Sequence, residues 1–136
     1  MCAQRDHLAR MVADELSSKP DARERLKIHA RDELGIDYTR SNVFEIVDGH
    51  LTGRMVDQSW GDICDGEEKR KMLLATCAQL GISPQQAIAM GDGANDLPMM
   101  GEAGLSVAFR AKPVVRAKAT CAFMHCGLDG LLNLYE

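Results

Sequence analysis

The stretch that decides the fold is Ile88-Ala89-Met90-Gly91-Asp92-Gly93-Ala94-Asn95-Asp96-Leu97-Pro98-Met99-Met100. Ala87 to Met90 is a short apolar run of strand length, whereas Leu97, Met100 and Ala103 recur at the spacing of one helix face. A strand that passes through a glycine-rich turn into a helix is the opening of a βα unit. Open α/β sheets bind ligands beyond the carboxyl ends of their strands, where helix N-termini offer free N–H groups to an anion. Gly91 and Gly93 are expected to permit backbone conformations closed to larger residues. Asp92 and Asp96 stand four residues apart, which places both at a crevice and brings both carboxylates within reach of one hard cation such as Mg²⁺. The same two residues also suit a plain turn followed by a helix N-cap.

Working outward, strands are predicted near 87–91, 105–109 and 120–124, separated by helix-like segments as βαβ units require. Upstream, Asp65 reads as an N-cap with Glu68 completing a capping box, and Met72, Leu73, Cys77 and Leu80 mark one side of the helix that follows. Gly81 stops that helix, and Ser83-Pro84 begins a short helical turn. Val43–Val47 and Leu51–Val56 flank Asp48-Gly49, a pair that predicts a β-hairpin. Trp60 follows in a loop, as a packed anchor or a lid residue, with packing preferred. Two amphipathic helices are expected near the N-terminus. One covers about residues 3–16, with Leu8, Met11, Val12 and Leu16 as its stripe. The other covers about 21–34, with Leu26, Ala30 and Leu34 buried and Gly35 as its stop. The expected fold class is therefore α/β, a parallel sheet with flanking helices plus a hairpin near 43–56. It is read as one partial domain over 1–136, made of a helical segment 1–35, the hairpin, and a Rossmann-like part 65–132. No repeat, low-complexity tract or long linker divides it.

Composition excludes several function classes. The chain has 136 residues, 46% of them hydrophobic, enough for a real core. Its net charge of −4 and dispersed basic residues argue against a nucleic-acid surface. No apolar run has the length of a membrane span, and the first residues lack a signal-peptide core, so the expected location is the cytoplasm. Five cysteines without Cys-x-x-Cys spacing read as reduced thiols. Cys126 beside His125 lacks a third ligand at zinc spacing. His7, His29 and His50 stand apart from one another.

The segment from Gly91 to Met100 resembles the fourth motif of the haloacid dehalogenase-like phosphatases and, more narrowly, of the phosphoserine phosphatase family. Asn42 to Gly53 is similar to a hairpin segment of that family, and Ala103 to Pro113 to the segment after its fourth motif. The likeness runs from about Arg31 to Leu132. It implies a two-step phosphoryl transfer, in which an aspartate attacks a phosphomonoester and water releases the aspartyl-phosphate, with Mg²⁺ balancing charge. By this resemblance Asp92 is the Mg²⁺ ligand and Asp96 a second acid supporting the metal's water shell. Asn95 touches the substrate phosphate, and Lys69 is the third-motif lysine that pairs with phosphate and nucleophile. The implied substrate is O-phospho-L-serine. Without the resemblance, Lys69, Arg70 and Lys71 suit an ordinary solvated helix turn; Lys71 is a second candidate for the third-motif lysine, less favoured because, two residues on, it lies on a different face.

The chain departs from the family pattern at its first two motifs. The family's nucleophile lies in an Asp-x-Asp turn after a strand, yet no two aspartates here stand two apart. Where the second motif is due, Ser17 and Ser18 follow no apolar strand and precede no glycine, so they read as loop or capping residues. Asp6 and Asp14 fall within the amphipathic helix and are poor nucleophiles. Absence of the strands that carry these motifs is expected to leave an apolar edge beside the strand before Asp92. The N-terminal helices, a second copy in a homodimer, or a separate N-terminal piece could cover it; a gene fragment or misplaced start is a further reading. Two functions follow: the C-terminal part of a Mg²⁺-dependent phosphoserine phosphatase, or a noncatalytic module that binds Mg²⁺ or phosphate or drives oligomerisation.

Overall fold

The computed structural model describes residues 31–61 and 63–134, and the chain divides into two compact units, Met1–Ile63 and Cys64–Glu136. The helix expected over 3–16, and the one expected over 21–34 as far as residue 30, lie outside the described residues. Residues 31–34 are helical and Gly35, at φ +64°, ends them. The Ile36 N–H then donates to the Arg31 carbonyl, the six-to-one bond of a Schellman closure.

In the first unit, β1 (Phe44–Val47) and β2 (His50–Met55) pair antiparallel, Val47 opposite His50 and Ile46 opposite Leu51. Asp48 and Gly49 have φ of 50° and 78°, the two left-handed residues of a type I′ turn, whose twist matches that of the strands it joins. The expected hairpin is thus present, one residue narrower on either side. Trp60 is half-buried with the Arg40 guanidinium 5.3 Å from its ring centre, a packed position.

In the second unit, α1 (Gly66–Leu80) begins where Asp65 accepts a hydrogen bond from the Glu68 N–H at 2.9 Å. It ends at Gly81, φ +67°, where the N–H groups of Gly81 and Ile82 donate to the carbonyls of Ala78 and Cys77. Of the side expected to be buried, Cys77 is buried and Met72 and Leu73 are partly so. Leu80 instead is 59% exposed, although Cys77 in the same last turn is buried. A 3₁₀ turn, Pro84–Gln86, is held by a complete capping box on Ser83. Then come β3 (Ile88–Gly91), a second 3₁₀ turn (Ala94–Asp96), α2 (Leu97–Met100), β4 (Leu105–Phe109), α3 (Pro113–Arg116) and β5 (Cys121–Phe123).

The three strands form a parallel sheet in the order β3-β4-β5, with Met90 opposite Val107 and Val107 opposite Cys121. Its core gathers Ala89, Ala108, Ala111 and Val115 with Met100 of α2, and Leu73 of α1 packs against it. Ser106 and Thr120 exchange side-chain and backbone hydrogen bonds at 3.0 to 3.2 Å, which fixes the approach of β5 to β4. The apolar run before Asp92 is not buried throughout: Ile88 is 36% exposed while Ala89 is 2% exposed. β3 is an edge strand among the described residues, and its exposure alternates from Ile88 to Ala89 as successive side chains point to opposite faces. The four described cysteines are free thiols. No helix among the described residues is long and apolar enough to cross a membrane.

Candidate active site

The chain leaves the carboxyl end of β3 at Gly91 and winds around one carboxylate. Asp96 Oδ2 accepts from the N–H groups of Asp92 and Gly93 at 3.1 and 3.0 Å, and the Asp96 N–H returns to the Gly93 carbonyl at 3.0 Å. Asp96 Oδ1 accepts from Lys69 Nζ at 2.7 Å. Asp96 is only 5% exposed, so the crevice position expected for both aspartates holds for Asp92 alone. Nor does Asp96 cap α2, since its side chain makes no bond to that helix's N–H groups. Burial pushes the Asp96 carboxyl pKa up, but the Lys69 hydrogen bond, the two backbone N–H groups and the lysine charge outweigh it. The net effect holds it below the ordinary carboxylate value.

The two glycines of this turn serve a purpose other than the expected one. Gly93 has φ −114°, and Gly91 is absent from the positive-φ residues, so neither needs a left-handed backbone. What matters is room. A Cβ on Gly91 would run into the Asp96 side chain at its own Cβ, whereas one on Gly93 would press on the amide oxygen of Asn95 at 2.5 Å and sit in ordinary contact with Asp96 Oδ2 at 3.7 Å.

Lys69 reaches this turn from the first turn of α1. Its side chain is 31% exposed, and its ammonium closes on the inner face of the loop. Lys71 is 62% exposed and stands 3.9 Å from Glu68, so the structure brings Lys69 to the loop and leaves Lys71 away from it. Arg70 donates to Glu102 at 2.6 Å and to Glu67 at 3.0 Å, tying α1 to the segment after α2. The helix start lies close against the loop: a Cβ on Gly66 would sit 2.6 Å from the Asn95 carbonyl oxygen. Asn95 itself is exposed.

Asp92 faces outward. It lines an open cleft of about 450 Å³ with Met90, Gly91, Phe109, Arg110 and Leu128, beyond the carboxyl ends of β3 and β4. Its carboxylate has no hydrogen bond or ion pair among the described residues, and its carbonyl accepts from the Lys112 N–H at 3.2 Å. No local sequence motif marks Phe109 or Arg110 as a cleft residue. The available signal is positional: Phe109 ends the strand beside β3 and Arg110 follows it, so both share its carboxyl edge. Among the described residues no group of three or more His, Cys, Asp or Glu converges, at Cys126 or elsewhere.

The family's sequence model, haloacid dehalogenase-like hydrolase, matches residues 21–133. The chain belongs to the haloacid dehalogenase-like hydrolases. This agrees with the parallel sheet and with the resemblance carried by Gly91 to Met100. A member of this family from Polaromonas sp., named phosphoserine phosphatase, is 80% identical over 106 residues, covering 78% of this chain and 45% of the relative. The chain therefore spans less than half the length of that relative. A crystal structure of a probable phosphoserine phosphatase from Vibrio cholerae superposes with a TM-score of 0.69 at 40% identity, over 79% of this chain and 32% of that one. A substrate-bound phosphoserine phosphatase complex gives a TM-score of 0.72 at 32% identity, over 82% and 51%.

Proposed function

We propose that this chain is the metal- and phosphate-holding part of a Mg²⁺-dependent phosphoserine phosphatase, which converts O-phospho-L-serine to L-serine and phosphate. The observation that carries the reading is the Lys69–Asp96 pair at 2.7 Å, which joins α1 to the loop that presents Asp92. An ammonium has three hydrogens, and only one is committed to Asp96. The others suit a phosphate oxygen, and the exposed Asn95 amide suits a second. Asp92 supplies a free anionic oxygen at the mouth of the cleft. Mg²⁺ is commonly held by one or two protein carboxylates together with waters and substrate phosphate, so this donor set fits it. The ion, when bound, would neutralise charge on the transferring phosphoryl group. Asp96 fixes Lys69 and shapes the loop rather than offering a free oxygen. The names of the Polaromonas relative and of the substrate-bound complex support the choice of substrate.

The reaction also needs a nucleophilic aspartate, whose oxygen forms the bond to phosphorus as the serine oxygen leaves and takes a proton. No Asp-x-Asp pair occurs among the 136 residues, so the nucleophile belongs to polypeptide other than these. The test is release of phosphate from O-phospho-L-serine with Mg²⁺, by the chain alone and mixed with the part of the Polaromonas relative outside the matched region. Release by the mixture that is lost in Asp92→Asn is expected. A mixture that associates yet releases no phosphate would leave the noncatalytic reading in its place.

A further inference from the structure

We infer that Arg110 is the residue that grips an oxyanion of the ligand, a phosphate or a carboxylate, in the cleft beside Asp92. The inference rests on the function proposed above in taking the ligand to be a small phosphate ester. Arg110 is held at φ +46°, a left-handed conformation that an arginine adopts only at a cost in energy. Such strain persists where the surroundings over-determine it, and it concentrates at ligand clamps. Here the Arg110 N–H donates to the Phe123 carbonyl at 2.8 Å, and the next loop residue but one, Lys112, donates its N–H to the Asp92 carbonyl at 3.2 Å. The loop carrying Arg110 is thus pinned to β5 on one side and to the Asp92 turn on the other.

The side chain is prepared as well. The guanidinium carbon lies 5.4 Å from the centre of the Phe109 ring, which limits the rotamers open to a long side chain. A guanidinium presents a planar fork of N–H donors that matches a carboxylate or phosphate edge, and among the described residues no carboxylate occupies this one. Met90, Phe109 and Leu128 give the cleft apolar walls. Among the described residues lining the cleft Arg110 is the cationic one, so it offers an anionic ligand a fixed positive charge beside the cation that Asp92 would hold.

The test is a titration of the 136-residue chain with O-phospho-L-serine in the presence of Mg²⁺, followed by ¹H–¹⁵N NMR. The Arg110 Nε–Hε signal, identified by its absence from Arg110→Ala, and the Lys69 and Gly93 backbone signals are read together. All three are expected to move. Binding should weaken by about tenfold in Arg110→Ala, the loss expected for one charge-assisted contact, recover in part in Arg110→Lys, and stay unchanged in Arg116→Ala. O-Phosphoethanolamine, which has no carboxylate, separates the two sources: an equal loss for it assigns the grip to phosphate, and an unaffected affinity assigns it to the carboxylate. Movement of Lys69 and Gly93 with undiminished binding in Arg110→Ala would overturn the role of Arg110 and leave the proposed function standing. Movement of Arg110 alone, insensitive to Asp92→Asn, would keep the grip and overturn that function. No movement of any signal overturns both.

Discussion

Lys69 and Asp96 lie 27 residues apart in the chain and meet at 2.7 Å, joining the first turn of α1 to the loop after β3. The carboxylate in that pair also accepts two backbone N–H groups of its own loop, so a single side chain sets both the loop's path and the lysine's position. Removing the charge should therefore disturb fold and site together. Asp96→Asn is expected to destabilise the second unit by about 2 kcal/mol, since it turns an amide toward a half-buried ammonium and weakens a loop bond. Urea denaturation, read at neutral pH, measures this.

The same pair makes an acid-sensitive contribution. The folded carboxyl of Asp96 titrates below its ordinary value of 3.8, so the native state binds fewer protons than the unfolded state as pH falls. The stability due to Asp96 is therefore complete above about pH 5 and is lost as pH drops through the depressed folded value. The difference in unfolding free energy between the parent chain and Asp96→Asn should shrink below about pH 4, and a constant difference down to strong acid would contradict the assignment.

Gly91 and Gly93 should respond differently to the same substitution. Gly91→Ala drives a methyl group into the Asp96 side chain and is expected to cost about 2 to 3 kcal/mol, as overpacking does. Gly93→Ala presses closely on the end of Asn95 alone, which can rotate aside, and is expected to stay within about 0.5 kcal/mol. Paired thermal melts of the two variants are sufficient to compare them.

Gly81 is a conformational glycine. No atom lies within 4 Å of a Cβ built there, but its φ is +67°. Gly81→Ala should lower stability by about 1 kcal/mol through backbone strain alone, and Gly81→Asn by less, because asparagine tolerates the left-handed region. Equal losses for the two variants would point to a steric cause instead.

Asp92 has an exposed carboxylate without a partner among the described residues, so its loss should leave the fold intact. Asp92→Asn is expected to change stability by less than about 0.5 kcal/mol while weakening Mg²⁺ binding by about tenfold or more, as a charged oxygen donor is removed from a hard cation. Calorimetric titration with Mg²⁺ reads this directly, and an unchanged isotherm would remove Asp92 from the metal site.

The sequence by itself determined the local elements. Asp65 and Gly81 bracket α1, Asp48-Gly49 closes the hairpin, and the change of period across Gly91 to Leu97 marks a βα unit, because caps, turns and hydrophobic spacing act over a few neighbouring residues. The family likewise followed from one ordered run of residues. Tertiary structure alone decided how the aspartates divide, with Asp96 buried against Lys69 and Asp92 facing the cleft, since that depends on a helix 27 residues away reaching the loop. It decided that Gly91 is needed for space rather than for its φ, and that Leu80 and Ile88 are exposed despite their apolar character. It also placed Arg110 beside Asp92, which no local pattern announces, because parallel strands bring their carboxyl ends together only once the sheet has formed.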